Sequence, residues 1–310
     1  QSGEASATSF ENLVIQNGDA SSIFSDNDGG GMYISGTSPI LTNCTFTGNS
    51  AGGSGGGMYI SGTSPILTNC AFTNNSASDN GGGMYNAGSS PILADCTFTS
   101  NSAEFGGGMN NNSSSSPTLT NCTFTSNSAD IRGGGMYNGF SSPTLENCSF
   151  TSNSAEFGGG MYNRYSGPTL TNCTFASNLA DSGGNDDEDD RHGGGMYNDE
   201  SDPTLTNCTF ASNSAFRGGG MYNRQIFSNA FTIPTLIDCT FLNNSAENRG
   251  GGMFNDSCSP ALADCTFTEN SAEFDGGGMY NDSSSPILAD CTFMGNSADL
   301  GGGMCNTNNS

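Results

Sequence analysis

Apolar residues in this chain alternate with polar ones over very short stretches, and the stretches recur. In Gly81–Ala103 (GGGMYNAGSSPILADCTFTSNSA), Cys96 and Phe98 flank Thr97, a period of two that reads as a strand. Three short strands fit this segment: Gly83-Met84-Tyr85, Ile92-Leu93-Ala94 and Cys96–Thr99. Asn86, the Gly88–Pro91 stretch, Asp95 and Asn101 are expected to supply the turns, because Asn, Asp and Gly tolerate left-handed backbone. Helical spacing, with apolar residues three and four apart, is not sustained anywhere.

The segment is one copy of a repeat. Gly-Gly-Gly-Met recurs with methionines at Met32, Met58, Met84, Met109, Met136, Met161, Met196, Met221, Met253, Met279 and Met304. Most steps are 25 to 27 residues. A cysteine tracks each repeat from Cys44 to Cys291, with Phe two residues later and Asn three after that. Self-similarity at this period marks a solenoid. Three strands and three turns in about 25 residues make one coil of a right-handed parallel β-helix, an all-β fold of about eleven coils here. Coils stack about 4.8 Å apart, so identical residues lie above one another. Met84, Leu93, Cys96 and Phe98 with their equivalents are then inward columns, beside the small Ala103. Asn101 and its equivalents are expected to form an internal amide ladder.

The chain divides into residues 1–28, a polar arm and a degenerate first coil, and residues 29–310, the repeats. In the first coil Leu13 and Ile15 are expected at the Cys and Phe places, and Asn17 at the ladder place. Insertions at 182–192 and 225–233 break the period. The first carries Asp186, Asp187, Glu188, Asp189 and Asp190 with the sole histidine, His192; the second carries Ile226, Phe227 and Phe231. Clustered carboxylates suit calcium, the one cofactor the sequence suggests, but the Asp-x-Asp-x-Asp-Gly spacing of a defined loop is missing, and a solvated charge run is the competing reading.

Composition sharpens this picture. The 310 residues include 46 Gly, no Lys and six Arg, for a net charge of -24. That charge excludes nucleic acid and anionic membranes as partners. No apolar run is long enough to insert in a bilayer. Gln1 as first residue suggests a mature, secreted form. The cysteine column reads as buried thiols, with inter-coil disulfides or soft-metal binding as alternatives. Cys258 and Cys305 stand outside the column and are candidates for a disulfide within or between molecules. The Thr-x-Thr pattern of Thr45 and Thr47, Thr97 and Thr99, and Thr123 and Thr125 is similar to that of ice-binding solenoids, but Ala71, Ala176, Ala211, Leu242 and Met294 interrupt it.

Gly-Gly-Gly-Met-Tyr-Asn combined with Phe-x-x-Asn, as at Phe46–Asn49, Phe98–Asn101, Phe124–Asn127 and Phe267–Asn270, resembles the repeats of polymorphic outer-membrane proteins. It is also similar to the wider set of bacterial right-handed parallel β-helix proteins. The resemblance covers about residues 29 to 306 and implies a surface-exposed, often adhesive passenger. Gly replaces the Ala of that family's first motif, and no membrane barrel follows. Together these features lead to a secreted, extracellular or cell-surface structural protein without enzymatic activity. The main expectation is a self-associating subunit of a filament, docked end to end. The alternatives are a monomeric adhesin that binds glycans or a host surface through the two insertions, and a polysaccharide-active enzyme.

Overall fold

The computed structural model describes residues 8–21, 27–181, 191–226 and 233–308. Its strands are all parallel, and each pairs with its counterpart one repeat away. Four sheets run the length of the rod, three of eleven strands and one of ten. In the coil of Met84 they contribute Met84–Ala87, Ile92–Ala94, Thr97–Thr99 and Ser102–Phe105. Three strands per coil were expected from the sequence, so the Ser-Ala strand is an addition. In many coils it is only two residues long, as at Ser76–Ala77, and it carries no apolar pair for a period-two pattern to reveal. The other strands also sit slightly later than expected, starting at Met84 and Thr97 rather than Gly83 and Cys96.

Register follows the repeat residue for residue. Met84 lies over Met109, Leu93 over Leu119 and Phe98 over Phe124. The inward columns form one continuous core in which Met84, Leu93, Cys96 and Phe98 are all buried. Phenylalanine rings from Phe46 to Phe293 stack 4.6–4.8 Å apart and within a few degrees of parallel, which is the coil step itself. Corners are left-handed single residues: Asp95 has φ 55° and Ser100 φ 54°.

Glycines close the fourth corner. A Cβ on Gly108 would stand 2.5 Å from the Gly135 carbonyl oxygen and 2.9 Å from Phe124 Cδ1. Only glycine lets successive coils approach so closely behind the phenylalanine stack.

Two expectations need correction. Asn86 is not a turn residue. It is buried within the Met strand, and its amide donates to Asn111 Oδ1 at 2.7 Å. In the first coil Ile15 does lie over Phe46, but Asn17 takes the left-handed corner with φ 54°. Gly18 occupies the ladder place, donating its backbone N–H to Asn49 Oδ1.

Candidate functional site

Chemistry on a stacked solenoid comes in columns, so the candidate sites are ladders. The first is the expected one. From Asn49 to Asn270 each asparagine points inward and donates to the asparagine of the next coil, and from Asn75 to Asn296 each also holds the carbonyl of a phenylalanine one coil back, as Asn127 Nδ2 does with Phe98 O at 2.9 Å; Asn49 holds the Ile15 carbonyl instead. A second amide ladder, Asn86 to Asn306, runs behind the Met strands with donor–acceptor distances of 2.7–2.8 Å. A third lies on the exposed corner between the Leu and Phe strands, for example Asn207 Nδ2 to Asn172 Oδ1 at 2.8 Å. Amide ladders satisfy buried polar groups coil by coil.

The flank outside the Met sheet was not anticipated. Tyrosines at the second strand position face outward, yet Tyr162, Tyr197 and Tyr222 are buried. They form a second apolar cluster that reaches Phe254 and Tyr280. All six arginines and His192 gather here. Arg132, His192, Arg217 and Arg249 share one column with Phe105 and Phe157. Arg164 and Arg224 alternate with Asp199 and Asp256 in another. The Arg132 guanidinium lies 5.4–5.7 Å from the ring centres of Phe105, Phe157 and Tyr162. Arg249 meets Asp275 at 2.6 Å, and Arg191 meets Glu247 at 3.0 Å. The signal was present in the sequence: Arg132, Arg217 and Arg249 directly precede Gly-Gly-Gly, and Arg164 and Arg224 directly follow Met-Tyr-Asn.

Burial sets the protonation states. The Tyr197 hydroxyl is pushed up to about 12, chiefly by desolvation. His192 stacks on Tyr222 at 4.5 Å, and burial pulls its imidazole down to about 3, helped by the nearby charges of Arg217, Arg224 and Arg191. The imidazole is therefore neutral at ordinary pH.

The remaining predicted residues separate. Asp186, Asp187, Glu188, Asp189 and Asp190 lie outside the described residues, as do Phe227 and Phe231. Among the described residues no group of three His, Cys, Asp or Glu side chains could hold a metal ion. Cys258 is buried, and its backbone N–H donates to Ser284 Oγ, the residue one coil on, so it occupies a column of mostly serines, among them Ser89 and Ser115. Cys305 is half-buried and lies beside Tyr280, at the end of the tyrosine stack. All twelve cysteines are thiols in this structure. The threonine pairs face outward from the Phe sheet, as Thr97 and Thr99 do around buried Phe98.

Parallel coils, in-register columns and corner glycines define a β-solenoid. The family described as the right-handed beta helix region matches residues 3–175 and again 131–310, so the chain belongs to that family. No curated protein matches it. Among solved structures it is similar to a hyper-glycosylated TibA fragment produced by TibC catalysis. That likeness has 15% identity and a TM-score of 0.33 over 97% of this chain and 98% of that one.

Proposed function

We propose that this protein is a non-catalytic structural rod displayed outside the cell, and that its coils act as axial docking surfaces for a second copy of the chain. One observation carries the reading. Every column advances by the same step, and in the coil of Ile287–Asn296 the inward side chains Leu288, Cys291 and Phe293, whose counterparts in interior coils are buried, are only partly covered. Asn270 donates both its backbone N–H and its Nδ2 to Asn296 Oδ1. In interior coils the same backbone N–H is met by the amide oxygen of the neighbouring coil, as Asn101 N–H is by Asn127 Oδ1. Exposed strand edges of this kind template further strands. Any coil with the same cross-section would continue the columns, including the first coil of another copy, where Phe10 lies in the Leu column and Ile15 in the Phe column.

The non-catalytic part of the reading rests on how the charged groups are engaged. Arg164, Arg191 and Arg249 are in ion pairs, and Arg132 is stacked among rings, rather than converging on an open cleft. The high negative charge would keep rods apart sideways while leaving the uncharged core edge to pair end to end.

Electron microscopy and sedimentation over a range of protein and calcium concentrations test this. Filaments that lengthen with concentration, with an axial repeat near 4.8 Å, are expected. Ile287→Lys with Met294→Lys should shorten them without altering the unfolding midpoint. Monodisperse rods of about 50 Å under every condition would reject the reading.

A further inference from the structure

The cysteine column has a geometry that core filling does not require. Ten thiols, Cys44 to Cys291, follow one another in successive coils, and all but Cys291 are buried. Each repeats the same pair of contacts. Cys96 Sγ, for instance, donates to Ala94 O at 3.3 Å and lies 3.7 Å from Leu67 O. Cys148 and Cys265 show the same two partners at 3.3 and 3.7 Å. Identical side-chain placement in every coil separates neighbouring sulfurs by one coil step. The phenylalanine rings two residues further along measure that step as 4.6–4.8 Å. Neighbouring thiols are near enough to influence each other's ionisation directly.

Two metal–sulfur bonds of about 2.3 Å placed in line span about 4.6 Å. That matches the coil step of 4.6–4.8 Å by which identical side chains follow one another. We propose that the column binds soft, two-coordinate d10 cations, such as Hg(II), Ag(I) or Cu(I), each held linearly between the Sγ atoms of successive coils. Thiolate is the ligand such ions select. Zinc does not fit: it needs four converging ligands, whereas each sulfur here has one sulfur neighbour above and one below.

The chemistry balances without a redox partner. A thiol gives up its proton to solvent as its S–H bond is replaced by S–M. Hg(II) takes two thiolates, releases two protons and leaves a neutral RS–Hg–SR unit. A univalent ion held between two sulfurs takes one thiolate and one thiol, releases one proton and leaves a neutral RS–M–S(H)R unit. Neutral products are what an apolar core accepts. The inference does not depend on filament formation.

The test uses the whole chain, freed of reductant and titrated with Hg(II). One arm adds the metal to folded protein; a second refolds the protein from urea with the metal present, because the thiols are enclosed. X-ray absorption should show two sulfurs at about 2.3 Å, with about five Hg(II) retained per chain after desalting and two protons released per ion. Cys258→Ser with Cys305→Ser should leave that number unchanged, whereas Cys122→Ala should lower it by about one. Competition with glutathione should show the folded chain holding the metal at least tenfold more tightly than the urea-unfolded chain. Four outcomes would each overturn the proposal: no retention in either arm, three or more ligands per ion, uptake lost in the Cys258/Cys305 variant, or equal affinity in the folded and unfolded chains.

Discussion

Asn101 and Asn127 share one oxygen: Asn127 Oδ1 accepts both the backbone N–H of Asn101, at 3.0 Å, and its side-chain Nδ2, at 2.9 Å. Asn127 in turn holds the Phe98 carbonyl through its own Nδ2. One side chain thus satisfies two donors and an acceptor inside the rod.

Asn127→Ala should therefore cost roughly 2–4 kcal/mol, because buried donors left without partners are penalised individually. Asn147 belongs to the exposed corner ladder and has φ 53°. Glycine adopts that backbone without strain, so Asn147→Gly should stay within about 1 kcal/mol of the parent. Urea unfolding of the two variants checks the contrast. Equal losses would mean that the inner ladder is not what holds the coils together.

The glycine corner gives a steric version of the same comparison. Alanine at Gly108 would press its methyl group on the Gly135 carbonyl and the Phe124 ring, neither of which can move without shifting a whole column. A loss of about 3 kcal/mol or more is expected, at the upper end for overpacking. Gly88 has φ +59°, and an added Cβ would meet only an ordinary contact, the Ser113 carbonyl oxygen at 3.7 Å. Gly88→Ala should cost only the left-handed penalty, about 1–2 kcal/mol. Thermal or urea midpoints separate the two, and a Gly108→Ala protein as stable as Gly88→Ala would show that the coils can spread.

What the sequence disclosed follows from where its signals are strong. Phe98 and Asn101 recur at fixed spacing beside alternating threonines, and both the core column and the inner ladder were readable from that. Ser102 and Ala103 carry no such alternation, so their sheet went unseen; it exists because the stacked coils on either side bring its backbone into register. Residue preference points Asn86 to a turn, but an in-strand asparagine is acceptable where the next coil offers another asparagine, here Asn111, to accept from its amide. Arg132, His192 and Arg217 are far apart in sequence and similar only in position relative to the glycines. Their shared flank emerges once the coils are aligned.

Acid should act through His192. Its folded value near 3 lies below the ordinary value of 6.5, so between these limits the unfolded chain binds a proton that the folded chain refuses. The contribution of neutral His192 is complete above pH 6.5 and is lost as pH falls toward 3, at up to about 1.4 kcal/mol per pH unit. Carboxylates also titrate in the lower part of this range, so the measurement is the difference between parent and His192→Phe. The parent should lose stability relative to His192→Phe as pH falls from 7 to 4. Parallel pH profiles would show that the imidazole is already protonated or solvated in the folded rod.

The thiol column also predicts its own redox behaviour. Stacked coils place cysteine Cα atoms one step apart, inside the range that disulfides tolerate, but their parallel Cα–Cβ bonds keep the Cβ atoms at that same step. Disulfides need Cβ atoms about 3.5–4.5 Å apart and turned toward one another, and the phenylalanine stack fixes the step at 4.6–4.8 Å. Air oxidation of the folded rod should therefore leave Cys70 through Cys265 reduced. Their access to reagent is equally restricted: burial keeps them from water, and Cys258, off the column, is held up to about 12 by desolvation, so little reactive thiolate forms there. Cys291 and Cys305 are only half-buried. Titration with a thiol-specific disulfide reagent should label those two in native protein and reach all twelve only in denaturant, and Cys291→Ser with Cys305→Ser should abolish the native signal. Rapid labelling of Cys96 or Cys122 in the folded chain would mean that the coils open far more readily than their continuous ladders allow.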